Sequence, residues 1–161
     1  MNNFKNIIIK LFLTIMLVQA SLNANDKNLD LIMEQIKETD KHLFILLTKT
    51  GCSWCDKMKK SILKDDNTRL LLEKDFLFEF INISKTGTIT FKDFEGTKHK
   101  FSKYLGHNFY PTSVFINKDY EIVFSQPGIV NNKRFLLILE FIKSKSYLKC
   151  SLQEYIDEQE F

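Results

Sequence analysis

The stretch Thr50-Gly51-Cys52-Ser53-Trp54-Cys55-Asp56 holds two cysteines with two residues between them, and the basic run Lys57-Met58-Lys59-Lys60 follows at once. A C-x-x-C pair supports three kinds of chemistry: part of a zinc site, a structural disulfide, or a dithiol that exchanges electrons with other sulfurs. Zinc requires four ligands, usually two such pairs or one pair with two histidines. There is no second C-x-x-C, and His42, His99, His107 and Cys150 are dispersed without ligand spacing, so no metal is expected. A structural Cys52–Cys55 disulfide closes a very short loop, and because the stabilisation from loop closure grows with loop length, such a staple contributes little.

Exchange chemistry fits the placement best. With Cys52 at the N-terminus of a helix beginning near Ser53, unpaired N–H groups and the helix dipole stabilise its thiolate, the attacking species. Cys55, one turn along the same helix, is shielded and less acidic, which suits a thiol that resolves a mixed disulfide. Lys57, Lys59 and Lys60 either add positive potential there or form a solvated helix face, and Asp56 opposes them. Cys150 reads as a packed free thiol, with an intermolecular disulfide as the sharper alternative.

The flanking sequence supplies elements that position this pair. Leu29, Ile32, Met33 and Ile36 carry the i, i+3, i+4, i+7 spacing of a helix over Asp26–Asp40, with Asp26 as its N-cap. Leu43–Thr48, LFILLT, is the nearly continuous apolar run of a buried parallel strand, so the cysteines sit just past a strand's carboxyl end. A helix marked by Met58, Ile62 and Leu63, a break at Lys64–Asn67, a second helix from Thr68 and the apolar strand Phe76–Ile83 complete a right-handed βαβ unit. Residues 85–98, with Gly87 and Gly96 near their ends, read as an inserted hairpin or loop before a helix from His99 to Gly106. Two strands follow, PTSVFIN from Pro111 and YEIVFS from Tyr120, joined at Lys118-Asp119 as a tight hairpin. Gln126-Pro127-Gly128 turns the chain into a long amphipathic helix from Asn131, with Phe135, Leu136, Leu139 and Ile142 inward, and a last helix begins near Tyr147. Pro111 opens a strand expected to be central, where proline removes a ladder donor. A cis bond after Tyr110 resolves that conflict by turning the chain sharply.

At 161 residues and 44% hydrophobic, with 15 Phe, the chain suits one domain with a real core. Residues 1–24 differ: a cationic start, an apolar stretch of about 12 residues that is short for a membrane span, and small residues at Ala20 and Ala24 where a signal peptidase could cut. They read as a cleavable secretory signal, with a retained N-terminal membrane anchor as the alternative, leaving 25–161 as the mature domain. Removing them takes away Lys5 and Lys10 and no acid, so the net charge falls from +3 to +1. No basic stripe interleaved with aromatics remains, which excludes nucleic-acid binding. An oxidising compartment lets disulfides persist, and three cysteines are few for a stapled scaffold.

Taken in order, these features resemble the thioredoxin fold: a C-x-x-C at a strand-to-helix junction, a βαβ unit, Tyr110-Pro111-Thr112 opening a β-hairpin, and a closing amphipathic helix. GCSWCDKM at residues 51–58, PTSVF at 111–115, Pro127-Gly128 and the tail YLKCSLQEYI from Tyr147 resemble more closely the exported thioredoxin-related proteins. The resemblance covers roughly residues 29–156. It implies a three-layer α/β/α thioredoxin fold, with a central mixed sheet of βαβ plus ββα and extra N- and C-terminal helices.

It also implies site roles. Cys52 attacks, Cys55 resolves, the two cycle through a redox disulfide, and Pro111 is cis and packs beside it. The Tyr110 backbone pairs with an extended substrate segment and Gly128 lines the same groove; Trp54 reads, from the sequence itself, as an exposed or groove-lining aromatic. Thioredoxin itself has a Trp before the first Cys, Gly-Pro between the cysteines and a buried acid six residues before the nucleophile. Here those places hold Gly51, Ser53-Trp54 and Leu46, so no general acid or base carries over.

The activity so implied is that of an exported, periplasmic thiol–disulfide oxidoreductase, a monomer without cofactor that reduces disulfides in other exported cysteine-containing proteins and draws on a membrane-linked electron donor or acceptor. The alternatives are an oxidase of the same fold and a non-catalytic binding module with a structural disulfide. The fold spans potentials of about −270 to −120 mV, and Ser53-Trp54 leaves this chain's place in that range open.

Overall fold

The computed structural model describes residues 25–159; the signal-like segment 1–24 and residues 160–161 lie outside the described residues. In chain order the elements are β1 (Lys27–Asn28), α1 (Asp30–Thr39), β2 (His42–Thr48), α2 (Ser53–Lys64), α3 (Asp66–Asp75), β3 (Phe76–Asn82), β4 (Thr88–Phe91), β5 (Phe94–Thr97), α4 (Lys98–Tyr104), β6 (Thr112–Ile116), β7 (Ile122–Pro127), α5 (Asn132–Lys143), a 3-10 turn (Ser146–Leu148) and α6 (Leu152–Gln159).

The apolar run HLFILLT becomes β2 because every residue through Leu47 can be buried, with layers on both faces. It pairs in parallel with β3 and antiparallel with β6, and β7 completes a four-stranded sheet in the order β3-β2-β6-β7. Alternation along β2 divides the core in two. Leu43, Ile45 and Leu47 pack with Val114 and Ile116 of β6, Met33 and Ile36 of α1, and Phe101 of α4. Phe44 and Leu46 pack with Phe115, Met58 and Ile62 of α2, Leu72 of α3, and Phe135, Ile138 and Leu139 of α5. The result is the three-layer α/β/α arrangement with βαβ and ββα halves that the sequence implied.

Aromatic rings carry much of the second layer. Phe44 stacks on its cross-strand partner Phe115 at 5.0 Å between centroids and meets Phe135 at 5.6 Å. Each fully buried ring of this kind contributes about 1.5–3 kcal/mol of transfer free energy. The break between α2 and α3 falls at Asp65, whose carboxylate accepts the Thr68 N–H at 2.8 Å and caps α3.

Two expectations are corrected, and a third is sharpened. The first helix begins at Asp30, not near Asp26. The Asp26 carboxylate instead accepts the Thr88 N–H at 2.7 Å, a bond that holds its pKa below the usual carboxylate value, and Asn28 receives the Asp30 N–H at 3.0 Å. A carboxylate that fastens β4 is not available to cap α1. The segment 85–98, expected as an inserted hairpin or loop, holds the hairpin β4–β5, which joins β1 in a separate three-stranded sheet, β1-β4-β5. On α5 the buried stripe runs through Phe135, Ile138, Leu139, Phe141 and Ile142, leaving Leu136 half-buried. Among the described residues no helix is long and apolar enough to cross a membrane.

Candidate functional site

At the carboxyl end of β2 the chain turns through Gly51, whose φ of +75° lies in the left-handed region, and presents Cys52 as the N-cap of α2. Cys52 has extended backbone angles, as an N-cap should, and its sulfur accepts the Cys55 N–H at 3.1 Å. One of the unpaired donors of the helix start is thus aimed at the sulfur that would carry negative charge on reduction. Cys52 and Cys55 are joined as a disulfide. The pair is asymmetric: Cys52 is half-buried at the surface, whereas Cys55 is 2% exposed, on the same buried helix face as Met58 and Ile62.

The second wall comes from the segment before β6. The Tyr110–Pro111 peptide bond is cis, and the Tyr110 carbonyl oxygen lies 3.8 Å from the Cys52 sulfur. The turn is held at several points. Thr112 Oγ1 donates to the Phe109 carbonyl at 2.7 Å, and the Gly128 N–H donates to the Pro111 carbonyl at 2.8 Å. Buried Ser102 of α4 donates to the His107 carbonyl at 2.7 Å, so the Tyr110 hydroxyl, 2.9 Å away, donates to Ser102. The structure therefore brings Cys52, Cys55, Tyr110, Pro111 and Gly128 together.

Trp54 stands in the first turn of α2, 55% exposed, with the Lys57 ammonium 4.5 Å from its ring centroid. Phe109 and Ile129, flanking Tyr110 and Gly128 in sequence, are also exposed. The basic run is partly occupied: Lys57 lies over Trp54 and Lys59 over Phe80, at 5.2 Å. Leu46, six residues before Cys52, is fully buried, so no carboxylate lies at that position beneath the pair. Sequence reasoning missed Ser102 and Thr112. Neither carries a motif, and their partnership with the Tyr110 turn exists only once α4 packs against it.

The remaining titratable groups lie elsewhere. At the opposite end of β2 a cavity of about 250 Å³ is lined by Asp40, His42, Lys118, Lys145 and Tyr147. His42 Nε2 is 2.9 Å from the Tyr147 hydroxyl, and burial holds its imidazole below the ordinary histidine value. Cys150 is half-buried, its thiol directed at the Ser146 carbonyl at 3.6 Å. Among the described residues no group of three or more His, Cys, Asp or Glu is arranged to hold a metal ion.

A family model described as a thioredoxin-like domain matches residues 29–143. No curated protein matches the chain at a significant level. Among solved structures, a thioredoxin-fold protein from Helicobacter pylori is similar with 22% identity and a TM-score of 0.65, over 74% of this chain and 84% of that one. An oxidoreductase named DsbH shares 17% identity at a TM-score of 0.54, over 82% of this chain and 89% of that one. The oxidised C-terminal domain of Neisseria meningitidis DsbD shares 16% at 0.53, over 70% and 90%. At these identities the structural likeness is one of fold.

Proposed function

The chain belongs to the thioredoxin-like domain family, and on that premise we propose that it is an exported thiol–disulfide oxidoreductase that reduces disulfides of other exported proteins. One observation carries this reading: the two cysteines have opposite environments. Cys52 is half-buried at a helix start with an N–H on its sulfur, while Cys55 is buried behind it. A structural staple needs no such difference; a nucleophile and a resolving thiol do.

In the reaction, the Cys52 thiolate attacks one sulfur of a substrate disulfide, forming a mixed disulfide and releasing the other substrate sulfur as a thiolate. Cys55 then gives up its proton and attacks the Cys52 sulfur. The Cys52–substrate bond breaks, the second substrate thiolate leaves, and the domain is left as the Cys52–Cys55 disulfide, two electrons poorer. A membrane-linked dithiol donor must return those two electrons. The Tyr110 and Gly128 backbones line the groove, and Pro111 closes it beside the disulfide.

Export is supported by the signal-like pattern of residues 1–24. A reductant is favoured over an oxidase because only the β4–β5 hairpin and α4 lie between β3 and β6, with no inserted helical domain. The test is catalysed reduction of insulin by dithiothreitol with the protein lacking residues 1–24. The wild type should accelerate it and Cys52→Ser should fall to background. An inactive wild type would instead mark a non-catalytic module. For direction, a Cys52/Cys55 potential near about −270 mV fits the reductant and one near about −120 mV the oxidase.

A further inference from the structure

Ser113 is fully buried in β6, and its hydroxyl has no hydrogen-bond partner among the described residues. A buried hydroxyl without a partner costs free energy, so its retention calls for a reason. Its position supplies one. Ser113 follows Pro111 by two residues and pairs across the sheet with Leu46, the residue six before Cys52. Alternation along β6 puts it on the same face as Phe115, the face covered by α2 through Met58 and Ile62. Cys55 precedes Met58 by one turn on the buried side of that helix, and its disulfide partner touches the Tyr110 carbonyl three residues before Ser113. The group on that buried helix face that changes chemistry on reduction is Cys55.

We infer that Ser113 serves the Cys55 sulfur as a hydrogen-bond donor when the disulfide opens, in place of any ionisable group at Leu46. This rests on the redox reading above. In the disulfide, the Cys55 sulfur is a weak acceptor and the hydroxyl is left without a partner. As the Cys55 thiolate forms, it becomes a strong acceptor and the same hydroxyl is satisfied. In the resolving step Cys55 loses its proton to solvent, its sulfur bonds to Cys52, and the partner leaves as a thiolate; Ser113 keeps its own proton throughout. The hydroxyl therefore lowers the pKa of Cys55 and, where Cys55 is ionised, stabilises the reduced pair over the disulfide. Cross-strand pairing, not sequence spacing, brings the donor to the site.

The experiment is equilibration of wild type, Ser113→Ala and Ser113→Thr in glutathione redox buffers, with the Cys55 Cβ titrated by NMR in each reduced protein. At a pH above the Cys55 midpoint Ser113→Ala should favour the disulfide by about tenfold, a potential about 30 mV more negative, and it should raise the Cys55 midpoint while leaving that of Cys52 in place. Ser113→Thr, which keeps the hydroxyl, should stay close to wild type. Equal potentials and midpoints in wild type and Ser113→Ala overturn the inference, as do equal shifts in Ala and Thr, which would report packing alone. The equilibrium is measurable whether or not the protein turns over insulin, so failure of the redox function and failure of the Ser113 assignment are separate results.

Discussion

The Cys52 sulfur sits between a donor and an acceptor: the Cys55 N–H at 3.1 Å and the Tyr110 carbonyl oxygen at 3.8 Å. The N–H and the helix start stabilise a thiolate, while the carbonyl favours the protonated thiol, to which it offers an acceptor. The donor is closer and acts together with the helix end, so the balance lies with the thiolate. In the reduced protein Cys52 should ionise below the ordinary thiol value of about 8.5 and be alkylated well before Cys55. Mass spectrometry after brief iodoacetamide treatment across a pH series checks this. Equal labelling of the two cysteines at neutral pH would contradict the assigned roles. Cys55→Ser should accumulate a mixed disulfide with substrate, which Cys52→Ser should not.

The Tyr110 turn depends on a side chain of a different element. Ser102 accepts the Tyr110 hydroxyl proton and donates to the His107 carbonyl. Tyr110→Phe removes one hydrogen bond and should cost about 1 kcal/mol of stability. Ser102→Ala breaks both and leaves a carbonyl and a phenol short of partners, so it should cost more, about 1–3 kcal/mol. Urea unfolding of the two variants gives the comparison. If Ser102→Ala were no more destabilised than Tyr110→Phe, Ser102 would not be the anchor of this turn.

Local patterns in the sequence announce the strand-to-helix junction, the two cysteines and the Tyr110-Pro111-Thr112 turn, because each depends on neighbours within one element. What the sequence hides is set by register and competition. Leu46 and Ser113 are far apart in the chain and meet only through the β2–β6 ladder. Asp26 has the residue type and position of an N-cap, yet the Thr88 N–H takes its carboxylate. The 85–98 insertion reads as a hairpin, but its partner is the two-residue strand β1, too short to leave a periodic signal. Leu136 satisfies helical spacing and still falls at the margin of the buried stripe, since α5 turns its 135/138/139/142 face to the sheet.

Gly128 combines two requirements. Its φ of +79° is costly for any residue with a Cβ, and its N–H holds the Pro111 carbonyl. A Cβ built there meets nothing within 4 Å and so projects into open space beside Pro111. Gly128→Ala should therefore cost about 1–2 kcal/mol of stability through backbone strain alone. If the open space is the substrate groove, KM for a protein disulfide should rise while turnover of oxidised glutathione stays near wild type. Thermal unfolding and parallel kinetics on the two substrates separate these effects, and equal losses on both would place Gly128 outside the groove.

His42 sets a pH dependence that is independent of the cysteines. Burial first, and then the nearby Lys145, hold its imidazole below the ordinary value of 6.5, with Asp40 opposing; burial lowers His107 in the same sense. For a histidine lowered in the folded state, the unfolded chain binds the proton more tightly. Its stabilising contribution is complete above about pH 6.5 and is lost as the pH falls through the folded-state value. Asp26 and Asp40, whose carboxyls lie below the usual range, lose theirs only in more acid solution. The urea midpoint should therefore be level between about pH 7 and 8 and begin to fall below about pH 6.5, before the carboxylates titrate. His42→Gln keeps a polar group for Tyr147 but cannot take up a proton, so it should leave only the slope due to His107. A slope unchanged by that substitution would place the titrating group elsewhere.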